Sequence, residues 1–223
     1  MIRRGGRFIR KFYASGYIIA LILVMISTAA IPCLAADEIP SSKQADMPLI
    51  LLQIQADVQG NLNDLDLDVA DAAQNLSTAG LEGTAARKVL RKLLETNSNL
   101  VSAATFGNNG KIIAVECKGC KGGEGANIRS QEHIAYVLKT KNPVFSKEFM
   151  LVKGYNGTAL AYPVFSPRGE LLGGVIAGVV PDKLMNALVA PQIQFDMNNG
   201  SSITDYSFWL MHLDGLIAYD RHR

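Results

Sequence analysis

The stretch 158–180 constrains the fold of this chain more than any other part of the sequence. Two apolar runs flank the segment Ser-Pro-Arg-Gly-Glu at 166–170. Pro167 presets a backbone angle that suits a turn and Gly169 accepts a positive φ, so we predict that the two runs fold back as an antiparallel β-hairpin. The second run contains three glycines, Gly173, Gly174 and Gly178. Because positions without a side chain leave room for another backbone or a ligand, the inner face of this hairpin is predicted to floor a small-molecule pocket.

A basic flank followed by a long apolar run opens the chain. Residues 1–13 carry five Lys and Arg residues and no acid, and residues 14–36 are uncharged. This pattern is typical of an export signal whose basic end stays inside the cell, and about 20 apolar residues can span a bilayer as a helix. Leu34 is large for a position at which signal peptidase prefers a small residue, so an uncleaved anchor is favoured over a cleaved signal peptide. Either alternative puts the residues after 37 outside the cytoplasm.

The exported part of the chain is acidic. Five of the 22 Lys and Arg residues lie in the N-terminal flank, so 17 remain against 20 Asp and Glu, a net charge of −3. This balance argues against nucleic acid as a partner.

A long amphipathic helix is predicted from Leu49 to Leu76, after the signal or anchor segment at 1–36 and a polar linker at 37–48. Its apolar residues are spaced three or four apart: Leu51, Ile54, Val58, Leu62, Leu65, Val69, Ala72 and Leu76. This apolar seam can dock on the sheet of its own domain, or it can also pair with the same helix of a second copy to form a homodimer. The other face carries five aspartates and no Lys or Arg, and we interpret it as a solvated surface.

Turn signals and periodicity assign the remaining elements. We predict helices at 84–96, 131–140 and 182–189, and strands at 100–106, 111–116 and 144–152 in addition to the central hairpin. The turn at 107–110 reads Gly-Asn-Asn-Gly, which favours a hairpin between the first two strands. The expected fold is therefore α+β, a five-stranded antiparallel sheet with helices packed on it.

The pair Cys117 and Cys120 is separated by two residues. A metal site needs about four ligands and no second Cys pair exists, while covalent haem needs a His where the chain has Lys121. In an oxidising compartment we expect a disulfide between these two cysteines, with a redox role as the alternative. We predict no metal and no cofactor. No catalytic triad or carboxylate pair is identifiable, so the chain is not expected to be an enzyme.

Three short motifs, in order along the chain, carry a family resemblance. They are Lys-Asn-Pro-Val-Phe-Ser at 141–146, Tyr-Pro-Val-Phe-Ser at 162–166 and Gly-Glu-Leu-Leu-Gly-Gly-Val at 169–175. Over residues 49–190 the chain resembles a Cache domain, an extracytoplasmic PAS-like sensor domain of prokaryotic signal-transduction receptors such as chemoreceptors. The resemblance implies a PAS-like sheet with a long N-terminal helix packed on it, and the sensing of a small organic ligand.

The C-terminal residues 191–223 are similar to the start of another Cache lobe. A strand, a turn and a strand at 207–220 look like the opening hairpin of the second lobe of a double Cache module, here incomplete. No kinase, methyl-accepting or cyclase region follows, so the resemblance implies ligand sensing without signal output.

The resemblance also indicates where a ligand should bind. Amino-acid-binding Cache lobes carry a Trp-Tyr pair and a late Asp that this chain lacks, so the ligand is expected to be a different anionic or polar molecule. The candidate ligand-binding residues are Arg129, His133, Tyr136, Phe149 and Tyr162. An Arg can fork onto a carboxylate, and Tyr side chains can close an apolar pocket. Two alternatives remain, an exported thiol protein using the two cysteines and a structural dimerisation module using the helix seam.

Overall fold

A computed structural model describes residues 41–117, 122–150, 156–188, 209–211 and 217–220. The predicted signal or anchor segment at 1–36 lies outside these ranges. Within them, none of the helices is both long and apolar enough to cross a membrane. Residues 60–184 form one compact unit, and the described residues before 60 and after 184 belong to a second one.

Helices and strands follow the predicted order. The helices are α1 (Ser41–Ala79), α2 (Gly83–Thr96) and α3 (Glu132–Thr140). The strands of the main sheet are β1 (Leu100–Gly107), β2 (Ile112–Cys117), β3 (Val144–Phe145), β4 (Phe149–Met150), β5 (Asn156–Phe165) and β6 (Leu171–Val179). Residues 181–188 are helical, and a separate hairpin pairs β7 (Trp209–Met211) with β8 (Ile217–Asp220). The two strands predicted near the C-terminus are therefore confirmed, and the turn predicted between them lies outside the described residues.

The sheet is antiparallel throughout, with strand order β2-β1-β6-β5-β3 and with β4 also paired to β5. The predicted central hairpin is β5–β6, and its turn places Gly169 at φ +85° as expected. The five predicted strands are present, but the one predicted at 144–152 is divided into β3 and β4.

Ser146 causes this division. Its backbone N–H donates to the Ala159 carbonyl at 2.7 Å. The Ala159 N–H donates to the Ser146 hydroxyl oxygen at 2.8 Å, and not to the carbonyl that a regular antiparallel pair would offer. That hydroxyl donates to the Lys147 carbonyl at 2.7 Å. A side chain therefore replaces one acceptor of the ladder, and the strand stops and restarts.

Two apolar layers lie on opposite faces of the sheet. On the first face, residues of α1 and α2 such as Leu76 and Leu90 pack against strand residues that include Leu160, Tyr162 and Val175. On the second face, Ile134 and Val137 of α3 pack against Phe106 and Ala161. Since successive strand residues point to opposite faces, each strand contributes alternate residues to each layer. We call the second one the α3 face.

Helix α1 differs from its prediction at both the linker and the acidic face. Residues 41–48 were predicted within a polar linker, but the helix begins at Ser41 and includes Pro48. An interior proline normally disfavours a helix, because it removes one backbone donor and its ring crowds the carbonyl four residues earlier, so the sequence signal at Pro48 pointed to a boundary that the helix does not observe. The aspartates are not all simply solvated, because Asp68 accepts a hydrogen bond from the Asn97 side chain at 2.9 Å.

Candidate functional site

Two of the predicted ligand-binding residues meet on the α3 face. His133 lies in the first turn of α3, and Phe149 begins β4, beside Gly157 of β5. Their ring centroids are 4.9 Å apart and the rings are tilted by 33°. The short edge strand and the helix therefore bring together two aromatic rings that are 16 positions apart in the sequence.

His133 is buried, and its pKa is shifted from the ordinary value of a histidine. Its exposed fraction is 6%, and its Nε2 atom has no hydrogen-bond partner among the residues that the structure describes. Burial lowers the pKa of the imidazole to about 4, against the opposing influence of the neighbouring Glu132 carboxylate. The side chain is therefore neutral at physiological pH, with one ring nitrogen unsatisfied.

A row of small residues crosses the sheet next to this pair. The row consists of residues that pair across neighbouring strands, in the order Cys117, Ser102, Gly178, Ala159 and Ser146. Ala159 and Gly157 are two positions apart on β5, so the row lies directly beside the strand position that pairs with Phe149. We call these five residues the small-residue row. Because none of them carries a bulky or charged side chain, the sheet presents little side-chain volume along this line.

Gly173 and Gly174 of β6 are needed for the close approach of β1, and they leave no space for a ligand. A Cβ on Gly173 would stand 2.0 Å from the Phe106 carbonyl oxygen, and one on Gly174 would stand 2.4 Å from the tip of the Phe106 ring. The expected room at these positions is thus occupied by β1. The third glycine of β6, Gly178, belongs to the small-residue row. It is the one of the three glycines that lies on the sheet near the two aromatic rings.

Arg129 lies at the other end of the sheet. Its guanidinium Nη1 donates to the Asn108 carbonyl at 3.0 Å, in the turn between β1 and β2. This turn is also tied to β6, because the Asn108 side-chain amide donates to the Leu171 carbonyl at 2.5 Å. Across the sheet, Gly107 at the start of this turn pairs with Gly173, and Gly173 pairs with Val164 of β5. Val164 lies seven positions from Gly157, the residue that pairs with Phe149, and seven residues of a strand span about 23 Å. The structure thus places Arg129 in a structural contact away from Phe149.

Tyr136 is half-buried and lies one helical turn after His133 on α3. Residues three apart on a helix are neighbours on its surface, so this phenol lies near the His133 side of the helix. It remains a candidate to border the ligand.

Tyr162 faces away from the other candidates. It belongs to the layer between the sheet and the helices α1 and α2, whereas its neighbour Ala161 belongs to the α3 face. Its hydroxyl donates to Oδ1 of Asp66 on α1 at 2.5 Å. Burial raises the pKa of the Asp66 carboxyl, which this hydrogen bond partly opposes, and burial together with Asp66 raises the pKa of Tyr162 well above its ordinary value. Tyr162 therefore connects the sheet to the long helix.

We expect Tyr162→Phe to lower the free energy of unfolding by about 1–3 kcal/mol, because Asp66 loses a donor to a half-buried charge. Urea unfolding at pH 7 measures the loss. A double-mutant cycle with Asp66→Asn isolates the pair. Strictly additive effects of the two substitutions would show that the hydrogen bond contributes nothing.

Cys117 is disulfide-bonded, and Cys120, its predicted partner, lies outside the described residues. The strand that ends at Cys117 is held by charge, since Arg91 bonds Glu116 at 3.2 Å and lowers the pKa of that carboxyl. Arg87 joins Glu116 and Glu124, and so ties α2 to the loop that follows the cysteines. In the part of the chain that the structure describes, no three His, Cys, Asp or Glu side chains converge on a metal position.

Reasoning from the sequence missed the buried Ser146 and the helix partner of Tyr162. The alternation of Ala161 and Tyr162 on one strand was a usable signal, since it puts them on opposite faces. It does not say which face meets which helix.

The sequence and the fold both match known proteins. A profile described as "HK/GC/Chemotaxis protein-like, sensor domain" matches residues 60–181. The extracellular ligand binding receptor from Desulfohalobium retbaense DSM5692 is 27% identical, with a TM-score of 0.69 over 78% of this chain and 31% of that one. No curated protein is similar enough in sequence to count as a match.

Two chemoreceptor structures are similar in fold alone. The ligand-binding domain of Campylobacter jejuni Tlp3 in complex with L-norvaline is 14% identical, with a TM-score of 0.55 over 67% of this chain and 62% of that one. The ligand-binding domain of Pseudomonas fluorescens CtaA in complex with L-serine is 16% identical, with a TM-score of 0.56 over 79% of this chain and 72% of that one. The chain thus spans less than two thirds of the Desulfohalobium receptor and of the Tlp3 domain.

Proposed function

We propose that this protein senses a small organic molecule outside the cytoplasm, on the premise that the chain belongs to the HK/GC/chemotaxis protein-like sensor domain family. The observation that carries the proposal is the His133–Phe149 pair beside the small-residue row. Two aromatic rings on one side and a floor of small side chains on the other suit a molecule of a few heavy atoms. The chemoreceptor domains of similar fold were solved with L-norvaline and L-serine, which are molecules of that size.

Signal transfer would use the opposite face of the sheet. Ala161 and Tyr162 are consecutive on β5, one toward α3 and one hydrogen-bonded to α1. A ligand that favours one position of β5 would therefore favour one position of the sheet against the long helix. A ligand can shift such an equilibrium only by its difference in affinity for the two positions.

Attachment to the membrane would use residues 1–36, whose basic flank and apolar run suit an anchor. The receptor would then hold residues after 37 on the outer side. Fractionation of cells that express the full chain tests this, because a cleaved signal peptide would release the protein from the membrane fraction.

Pairing of two copies would use a second stripe of α1. The predicted seam is occupied within the chain, where Leu65, Val69, Ala72 and Leu76 are buried. Leu49, Leu52 and Leu67 are 60–66% exposed and lie on a common helix face at 100° per residue. That face is free of charge along this length, since Ala56, Gly60 and Asn63 stand between them.

We expect the double substitution Leu52→Asp with Leu67→Asp to convert a dimer of the full chain in mild detergent to a monomer, measured by sedimentation velocity. Gln55→Asp, at an exposed position outside this stripe, is the matched control and should leave the mass unchanged. A parent protein that sediments as a monomer would contradict the dimer.

A ligand screen tests the proposed function directly. Thermal unfolding of the full chain in mild detergent, followed by intrinsic fluorescence, is measured against a library of small metabolites. A specific ligand at a hundredfold excess over Kd stabilises the fold by about 2.7 kcal/mol, or a rise in Tm of about 5–10 °C. The Phe149→Ala variant should lose this rise. A rise of equal size in the variant would place the ligand elsewhere.

A further inference from the structure

His133 is buried with one ring nitrogen unpaired. Groups of this kind are uncommon in folded proteins, because a polar atom buried away from water without a hydrogen bond destabilises the fold. Within the described part of the chain the Nε2 atom has no hydrogen-bond partner, although the imidazole ring packs against the Phe149 ring. This atom belongs to a ring that contacts Phe149, and Phe149 pairs with Gly157, two positions from Ala159 of the small-residue row. A bound molecule would gain most by supplying the missing hydrogen bond at this atom.

The described sheet residues near the two aromatic rings are uncharged. Every residue of the small-residue row is neutral, as are Phe106, Ala161 and Ile176 of the same sheet face. Arg129 is engaged at the β1–β2 turn, at the far end of the sheet. Of the described acidic side chains, Glu132 is the one that acts on the His133 charge, and it is exposed to solvent. Lys147 and Glu148 lie between Ser146 and Phe149 in the sequence, and Lys147 is exposed to solvent. The charge balance at this atom therefore rests on the neutral sheet residues and on the imidazole itself.

The imidazole itself supplies no charge at neutral pH, because its surroundings favour the neutral form. A neutral imidazole carries one N–H donor and one acceptor nitrogen, so it matches an uncharged group such as an amide or a hydroxyl. A carboxylate at this position would be desolvated without a cation to pair with it, which is costly.

We propose that His133 is the residue that selects the ligand, and that the ligand meets its Nε2 atom with an uncharged amide or hydroxyl group carried on a small apolar body. The proposal rests on the proposed sensing function and narrows it to a ligand class. It selects the polar alternative from the anionic or polar ligand that the sequence predicted, and it assigns no role to an Arg129 clamp.

The first test concerns the protein without ligand. His133→Leu and His133→Phe remove the unsatisfied nitrogen and keep an apolar side chain. We expect at least one of them to raise the Tm of the full chain at pH 7.5 by about 2–6 °C, since the cost of the unpaired atom disappears. If neither variant raises the Tm, the nitrogen is satisfied within the protein and the proposal is overturned.

The second test uses matched neutral and anionic probes. The amides 4-methylpentanamide, hexanamide and benzamide are compared with 4-methylpentanoate, hexanoate and benzoate, with L-leucine as a zwitterion. We expect at least one amide to raise the Tm of the wild type more than its acid does. In the His133→Leu variant the same amide should bind about tenfold more weakly.

The outcomes separate the two proposals. If acids or L-leucine raise the Tm and no amide does so, or if the amide binds the variant equally well, the sensing function stands and the assignment to His133 is overturned. If neither these probes nor the metabolite library raise the Tm of the wild type, the sensing function fails as well.

Discussion

Replacing Gly173 with alanine is expected to lower the free energy of unfolding by at least about 3 kcal/mol, which is a large fraction of the stability of an ordinary domain. A Cβ at this position would stand 2.0 Å from the Phe106 carbonyl oxygen and 2.8 Å from the Gly107 Cα, both of them backbone atoms of β1. The residue also has φ +149°, where side chains are rarely tolerated. Either β1 and β6 separate or the strand register shifts, and both lose ladder hydrogen bonds between two central strands, near the β1–β2 turn.

Two other glycines provide matched controls. Gly169→Ala sits at φ +85° with open space around its Cβ, so it should show only the backbone cost of about 1–2 kcal/mol. Gly60→Ala, in the middle of α1 with open space, should stabilise the protein by up to about 1 kcal/mol. Chemical unfolding of the three variants measures these differences. A cost for Gly173→Ala no larger than that for Gly169→Ala would mean that the strands accommodate the methyl group.

Acid is expected to destabilise the protein through His133. The pKa of this group falls from about 6.5 in the unfolded chain to about 4 in the fold, because burial disfavours the charged ring. The stability that the neutral imidazole contributes to the fold is fully present above pH 6.5. Below that pH only the unfolded chain takes up the proton, so the free energy of unfolding falls by about 1.4 kcal/mol per pH unit until the pH reaches about 4. The total loss is on the order of 3 kcal/mol.

The measurement is a difference between two proteins. Urea unfolding of the wild type and of His133→Leu at pH 7.5, 5.5 and 4 cancels the other titrating groups, among them Asp66 and the two remaining histidines, His212 and His222. The wild type should lose stability relative to the variant as the pH falls. Parallel pH profiles would mean that His133 takes up its proton in the folded protein at its ordinary pKa.

The fold was predictable where local chemistry and pattern agree. The turn at 166–170 combines Pro167 and Gly169 between apolar runs, and the hairpin formed where expected. The order of the Cache motifs led to the family, and the match to the sensor-domain profile confirms that resemblance. The edge strand was less predictable, because Ser146 is compatible with a strand and only its side-chain hydrogen bonds reveal the interruption.

The site was harder to predict because both faces of the sheet are apolar. In a strand buried on both sides, polarity does not say which alternate residues meet which helix. Tyr162 was therefore grouped with Phe149, although its hydroxyl bonds Asp66 on the other side. Arg129 was predicted to bind an anion on the strength of its charge. Its contact is a main-chain carbonyl in a turn 21 positions earlier, and no periodicity encodes such a contact.

The interruption at Ser146 has a consequence for how these molecules behave at high local concentration. A straight outermost strand offers its free main-chain groups as a template on which a neighbouring molecule can add a strand and start a polymer. Here the outermost strand is two fragments of two residues each, with a side-chain oxygen set into the ladder between them. A strand added from another molecule could pair with only two residues before the hydrogen-bond pattern is interrupted, so this edge is a poor template for strand addition.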